Sequence, residues 1–197
     1  MIRRLKGWLQ GTSAPPEGGA VVQLRVLMVC TGNICRSPTA EAVLRERLQR
    51  AGLAGRVLVD SAGIQGYHAG EAPDPRAVKA AAARGYDLRG LRARPVQPTD
   101  FTQFHLLLAM DEDHLAWLQR KAPPDALARI ELLMTHSGRF PGERNVPDPY
   151  YGASAGFERV LDLVEDACDG LMAPLGRLLQ DLSQPVAGGP DRPKSLT

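Results

Sequence analysis

Cys30 and Arg36 stand six positions apart in VLMVCTGNICRSPTAEAVLRERL, residues 26–48, and the residue types between them describe an anion cradle. Gly32 and Asn33 tolerate left-handed backbone angles, so successive N–H groups can turn toward one point. Ser37 is placed to cap a helix and Pro38 suits its first turn, so the helix's positive end faces the same point. Arg36 can hold two oxygens of a phosphate at once. A thiol on the floor of such a field is favoured as its thiolate, the nucleophilic form. A bare Cys-x5-Arg is a weak signal, but Cys30 is the one cysteine here with an arginine six positions on. A plain strand-to-helix turn explains Gly32 and Pro38 and gives no reason for Arg36.

The elements around this loop read as alternating strands and helices. Short apolar runs at 23–30, 56–63, 104–110 and 128–134 predict strands. Residues 38–52, 74–86, 111–121 and 155–182 predict helices, with Gly52 and Gly85 as terminators and Pro174 as a point where the last helix can kink. Such alternation implies an α/β fold: a parallel sheet with helices on both faces. Ligands in these sheets sit at the carboxyl ends of strands, which is where Cys30 falls.

The chain of 197 residues fits one domain with tails. Residues 1–22 read as an N-terminal extension and linker, 23–182 as the folded domain and 183–197 as a flexible tail. A net charge of +2 points to neither nucleic acid nor membrane. The basic start MIRRLKGWLQ lacks an apolar core and is not a secretory signal. A membrane-surface foot is the lesser reading of it, and local packing the better one. Ile2 stands where myristoylation needs glycine, and the C-terminus has no prenylation box. Three cysteines without framework spacing fit a reducing cytoplasm. His68, His105, His114 and His136 lack ligand spacing and read as surface or packing residues, and no metal is expected. Cys168 reads as core filling.

VCTGNICRSPTAE resembles the signature loop of the low-molecular-weight protein tyrosine phosphatases. DSAG (60–63), AMDEDH (109–114) and VPDPYYG (146–152) are similar to further landmarks of that family, in the same order. The resemblance covers roughly residues 24–182 and implies a four-stranded parallel sheet flanked by helices. It places the nucleophile on Cys30, the phosphate-gripping arginine on Arg36, the general acid on Asp148 and the second loop cysteine, with a redox role, on Cys35. Thr31, Gly32 and Ile34 complete the phosphate loop. Asn33, Ser37 and Ser61 match the polar positions that hold it, and Tyr150 and Tyr151 match the aromatic wall of the cleft. Tyr67 can form an opposing wall. Several family members carry histidine before the glycine that ends the second helix. Here that place is Arg84, which implies a differently built polar network under the loop.

The implied reaction is phosphotyrosine hydrolysis through a phosphocysteine intermediate, with no cofactor. The implied partner is a tyrosine-phosphorylated protein; in bacteria the family often opposes tyrosine kinases of polysaccharide export. Family members that act on phosphoarginine carry threonine where this chain has Ile34, which favours phosphotyrosine. Arsenate reductases share the fold but need further cysteines within reach, and Cys168 has no nearby partner. A thiol–disulfide oxidoreductase would favour Cys-x-x-Cys. A phosphotyrosine-binding module would need neither Cys30 nor Asp148.

Overall fold

The run that ends at Cys30 forms strand β1, Leu24–Cys30, in which every residue but Arg25 is buried. A strand buried on both faces belongs in the middle of a parallel sheet. The structure, a computed structural model, describes residues 21–152 and 154–183. In it β1 lies between β2, Val57–Gly63, and β3, Leu106–Ala109, and β4, Arg129–Leu132, pairs with β3. All pairs are parallel and the order is β2-β1-β3-β4. The chain therefore leaves β1 to both sides of the sheet, and Cys30 stands at that switch point beside the ends of β2 and β3. The expected N-terminal foot and linker up to residue 20, and the tail from residue 184, lie outside the described residues.

Side chains alternate across a strand, so β1 feeds two cores. Val26, Met28 and Cys30 pack with Leu44, Leu48, Ala81, Leu161, Val164 and Leu171. These come from α1, Arg36–Arg50, α2, Pro75–Ala83, and α5, Ser154–Ser183. Leu27 and Val29 pack on the other face with Phe101, Phe104, Leu107 and Leu118. Phe101 belongs to α3, Asp100–Gln103, and Leu118 to α4, Glu112–Lys121. This is the expected α/β architecture, a four-stranded parallel sheet with helices on both faces.

The differences lie at element ends. Helix α1 starts at Arg36, and Cys35 takes the cap position without a side-chain bond. Ser37 is thus inside the helix rather than its cap, and its hydroxyl serves the loop instead. Asp74 caps α2 by accepting from the Arg76 N–H, and Asp111 caps α4 by accepting from the His114 N–H. The fourth strand stops at Leu132, and Leu133–His136 winds into a 3-10 turn. The short α3 was not expected. Helix α5 runs through Pro174, whose ring removes the N–H that would meet the Gly170 carbonyl. Gly170 itself lets α5 lie against the 3-10 turn: a Cβ there would fall 1.9 Å from the His136 oxygen. Among the described residues, no helix is long and apolar enough to cross a membrane.

Candidate active site

The loop between β1 and α1 is held by side chains beneath it. Asn33 has φ of 57°, a left-handed angle that a side chain rarely takes without support. The support is present. Asn33 Oδ1 accepts the Arg94 backbone N–H at 2.9 Å, and Nδ2 donates to Ser37 Oγ at 2.9 Å and Ser61 Oγ at 2.8 Å. Ser61 Oγ in turn donates to Glu41 Oε2 at 2.5 Å. With Asn33 so fixed, its own N–H points at Cys30 Sγ, 3.3 Å away, and Ser37 Oγ stands 3.0 Å from the same sulfur. Strand β2 closes the other side: the Ile64 and Gln65 N–H groups bond the Cys30 and Thr31 carbonyls. A Cβ on Gly63 would fall 2.7 Å from the Thr31 oxygen, so only glycine permits this approach.

Arg36 is the centre of charge. Its side chain is 4% exposed, yet it meets two carboxylates. Nη1 donates to Asp111 Oδ2 at 2.7 Å and to the Val146 carbonyl at 3.2 Å. Nη2 donates to Asp148 Oδ2 at 2.8 Å and to Thr31 Oγ1 at 3.1 Å. The four partners come from the end of β3, the loop before α5 and the Cys30 loop, so the guanidinium ties three segments together. Burial pushes the Asp111 carboxyl up, but His114 and Arg36 outweigh it and hold it at about 2. Asp148 keeps its second oxygen on the Tyr150 N–H at 3.0 Å.

Cys30, Thr31, Gly32, Ile34, Cys35, Arg36, Asp148, Tyr67, Tyr150 and Tyr151 line one cleft of about 330 Å³. Tyr150 and Tyr151 meet edge to face, 5.0 Å between ring centres, and Tyr67 is 82% exposed. A buried thiol under a positive loop, an acid at its side and aromatic walls suit a phosphate ester on a flat leaving group. Cys35 is buried beside Cys30, and burial, then the Asp74 charge, pushes its thiol up to about 12. Asn33, Ser37 and Ser61 lie under the loop rather than in the cleft. Cys168 is fully buried on α5, with its thiol raised by burial.

Arg84 plays no part in this network. It turns to α5 and pairs with Glu158, Asp162 and Glu165 at 2.7–2.9 Å. Under the loop the structure has Glu41, buried among apolar residues of α1 and pushed up to about 7, chiefly by burial. Two histidines correct the reading of all four as surface or packing residues. His68 lines the cleft with its Nδ1 2.8 Å from Glu71 Oε2. His114 is 2% exposed and bonds Thr31 Oγ1 through Nε2 at 2.8 Å. Asp111 and His114 were missed as site residues, although AMDEDH places an acid at the carboxyl end of the strand next to β1.

A family model described as low molecular weight phosphotyrosine protein phosphatase matches residues 25–181. A Streptomyces coelicolor low molecular weight protein-tyrosine-phosphatase is 47% identical over 151 residues, 76% of this chain and 92% of that protein. The crystal structure of a protein tyrosine phosphatase from Entamoeba histolytica with Hepes in its active site has a TM-score of 0.75 at 39% identity. It covers 78% of this chain and 97% of that one. The crystal structure of a Drosophila arginine phosphatase has a TM-score of 0.73 at 29% identity, covering 77% and 98%. With its fold and loop matched over this length, the chain belongs to the low molecular weight phosphotyrosine protein phosphatase family.

Proposed function

We propose that the protein hydrolyses phosphotyrosine in protein substrates through a phosphocysteine intermediate. The observation that carries this is the convergence on one cleft of Cys30, Arg36 and Asp148, with Arg36 Nη2 2.8 Å from Asp148. The Cys30 thiolate attacks phosphorus and the ester P–O bond breaks. Asp148, protonated for this step, gives its proton to the departing phenolate. Loop N–H groups and Arg36 stabilise the equatorial oxygens. Asp148 then takes a proton from water, which attacks phosphorus and breaks the P–S bond. The returning thiolate is met by the Ser37 hydroxyl and the Asn33 N–H, at 3.0 and 3.3 Å.

Tyr150, Tyr151 and Tyr67 serve as walls for the phenyl ring, and Ile34 gives an apolar contact at the loop, which supports tyrosine over arginine as the phosphorylated side chain. The working partner is a tyrosine-phosphorylated protein, with a bacterial tyrosine kinase as one candidate. Residues 23–182 form the catalytic domain, and a reducing cytoplasm suits its free cysteines. Turnover of p-nitrophenyl phosphate by the wild type, abolished in Cys30→Ser, is the expected result. A wild type that binds the phosphate ester without turnover would overturn the enzymatic reading.

A further inference from the structure

We propose that His114 is a positioning residue for Arg36, acting through the Thr31 hydroxyl. The proposal builds on the phosphatase reading of Cys30 and Arg36. It begins with three side chains in a row. Asp111 Oδ1 stands 2.8 Å from His114 Nδ1, and His114 Nε2 stands 2.8 Å from Thr31 Oγ1. The same hydroxyl oxygen lies 3.1 Å from Arg36 Nη2.

Donor and acceptor counting orients this row. Asp111 is ionised, so its oxygens only accept. A lone pair on Nδ1 would face that oxygen and repel it, so Nδ1 carries the proton. The Nδ1 contact is close but off the line of a good hydrogen bond, and Nδ1 has no other partner among the described residues. With the ring proton on Nδ1 alone, Nε2 is the acceptor and the Thr31 hydroxyl proton points to it. A hydroxyl has one proton. Once that proton is directed to His114, the lone pairs of Oγ1 face the Arg36 Nη2 donor.

The consequence appears when phosphate enters. Nη1 is fixed by Asp111 and the Val146 carbonyl, independent of the reaction. Nη2 is shared between Asp148 and Thr31. Asp148 must turn to the leaving oxygen to act as acid, and that withdraws one partner from Nη2. Thr31 Oγ1 is then the protein acceptor that keeps the guanidinium plane aligned for a two-oxygen grip. If His114 no longer held the hydroxyl proton, Oγ1 would rotate freely and present that proton to Arg36 or to phosphate. His114 does not line the cleft that holds Cys30, and it reaches Arg36 through two neighbours, Thr31 and Asp111; the double variant His114→Leu/Thr31→Val separates the Thr31 route from the other.

The test uses the full chain with p-nitrophenyl phosphate and with vanadate, an inhibitor that needs the same grip. His114→Leu removes the acceptor, His114→Gln places an amide near the Nε2 position, and Thr31→Val removes the hydroxyl at nearly constant shape. The expected loss in His114→Leu and in Thr31→Val is roughly 10–150-fold in vanadate Ki and in kcat/KM, the scale of one hydrogen bond to a charged group. His114→Gln should recover most of it. The double variant His114→Leu/Thr31→Val should lose no more than Thr31→Val alone, because both remove one interaction. Nitrogen-15 spectra of His114 should show a protonated Nδ1 and an unprotonated Nε2. If His114→Leu fails to fold, Thr31→Val, His114→Gln and the spectra still decide. Unchanged vanadate binding in Thr31→Val, equal losses in the Leu and Gln variants, additive losses in the double variant, or a protonated Nε2 would overturn the proposal. An inactive wild type would instead refute the phosphatase reading.

Discussion

Arg36 Nη2 donates to Asp148 Oδ2 at 2.8 Å, so the group assigned to phosphate already holds the group assigned to the leaving oxygen. A phosphate oxygen and the Asp148 carboxylate want the same N–H. Asp148→Ala should therefore split two properties that a purely structural residue would move together. Turnover of aryl phosphates should fall roughly 100–10,000-fold, the usual weight of a general acid. Vanadate and inorganic phosphate should bind at least as tightly as to the wild type, because their competitor is gone. Steady-state kinetics with inhibition constants measures both; weakened vanadate binding would show that Asp148 orders Arg36 rather than competes for it. Cys30→Ser should remove turnover with an unchanged melting temperature, since serine does not ionise at the loop floor.

How much of this was legible in the sequence follows from the range of each interaction. The strand ending at Cys30 and the Gly-Asn turn are local patterns, and both appear where periodicity and turn chemistry placed them. The start of α1 was misplaced because a Ser-Pro pair reads as cap and first turn. In the fold Ser37 spends its hydroxyl on Cys30 and Asn33, so the helix begins at Arg36. His114 and Arg94 were beyond reach for a different reason. Each acts on the loop from another segment: Arg94 across 61 positions to Asn33, His114 across 83 to Thr31. No local pattern marks such partners; the order of β1 beside β3 brings Asp111 and His114 to Arg36.

Cys35 lies in the same loop as Cys30, and both are free thiols. Peroxide should oxidise the Cys30 thiolate to a sulfenic acid, and Cys35 should then displace water to close a 30–35 disulfide. The Cys35 thiol is pushed up to about 12 by burial and then by Asp74. Its thiolate is therefore scarce near neutral pH, and closure should quicken by roughly tenfold per pH unit between pH 6 and 9. Stopped-flow peroxide inactivation followed by peptide mapping tests this. Reductive recovery of Cys35→Ser equal to that of the wild type would leave Cys35 as a packing residue only.

Glu41 is 2% exposed and its carboxyl is raised from an ordinary 4.5 to about 7, mainly by burial. The folded chain then keeps this proton over a range where the unfolded chain has lost it. Folding takes up a proton between pH 4.5 and 7, so stability falls as pH rises through that window. Above it the loss is complete and on the order of 3 kcal/mol. Glu41→Gln keeps an oxygen for the Ser61 hydroxyl without the charge, and gives up an Arg45 pair that is half open to solvent. Its stability relative to the wild type should improve from pH 5 to pH 8. Urea unfolding at both pH values measures the difference, and the same relative stability at both would refute the titration.

Ile34 lies between Asn33 and the Cys35 cap and lines the cleft with Tyr67, Tyr150 and Tyr151. Its β-branched side chain offers a flat apolar surface close to where the ester oxygen of a bound phosphate would sit. A phenyl ring gains from that contact by burial of both faces. A guanidinium gains nothing from it and must shed water there without a hydrogen-bond partner. Ile34→Thr replaces the ethyl arm with a hydroxyl that can accept from such a group. The wild type should therefore prefer phosphotyrosine peptides to phosphoarginine peptides of the same sequence. The substitution should lower kcat/KM on phosphotyrosine by roughly 3–10-fold, the cost of lost apolar contact, and move the ratio toward phosphoarginine. Side-by-side kinetics on matched peptides decides it. A wild-type preference for phosphoarginine would reverse the substrate assignment, and an unchanged ratio in Ile34→Thr would take Ile34 out of the explanation and leave the tyrosine walls to account for the choice.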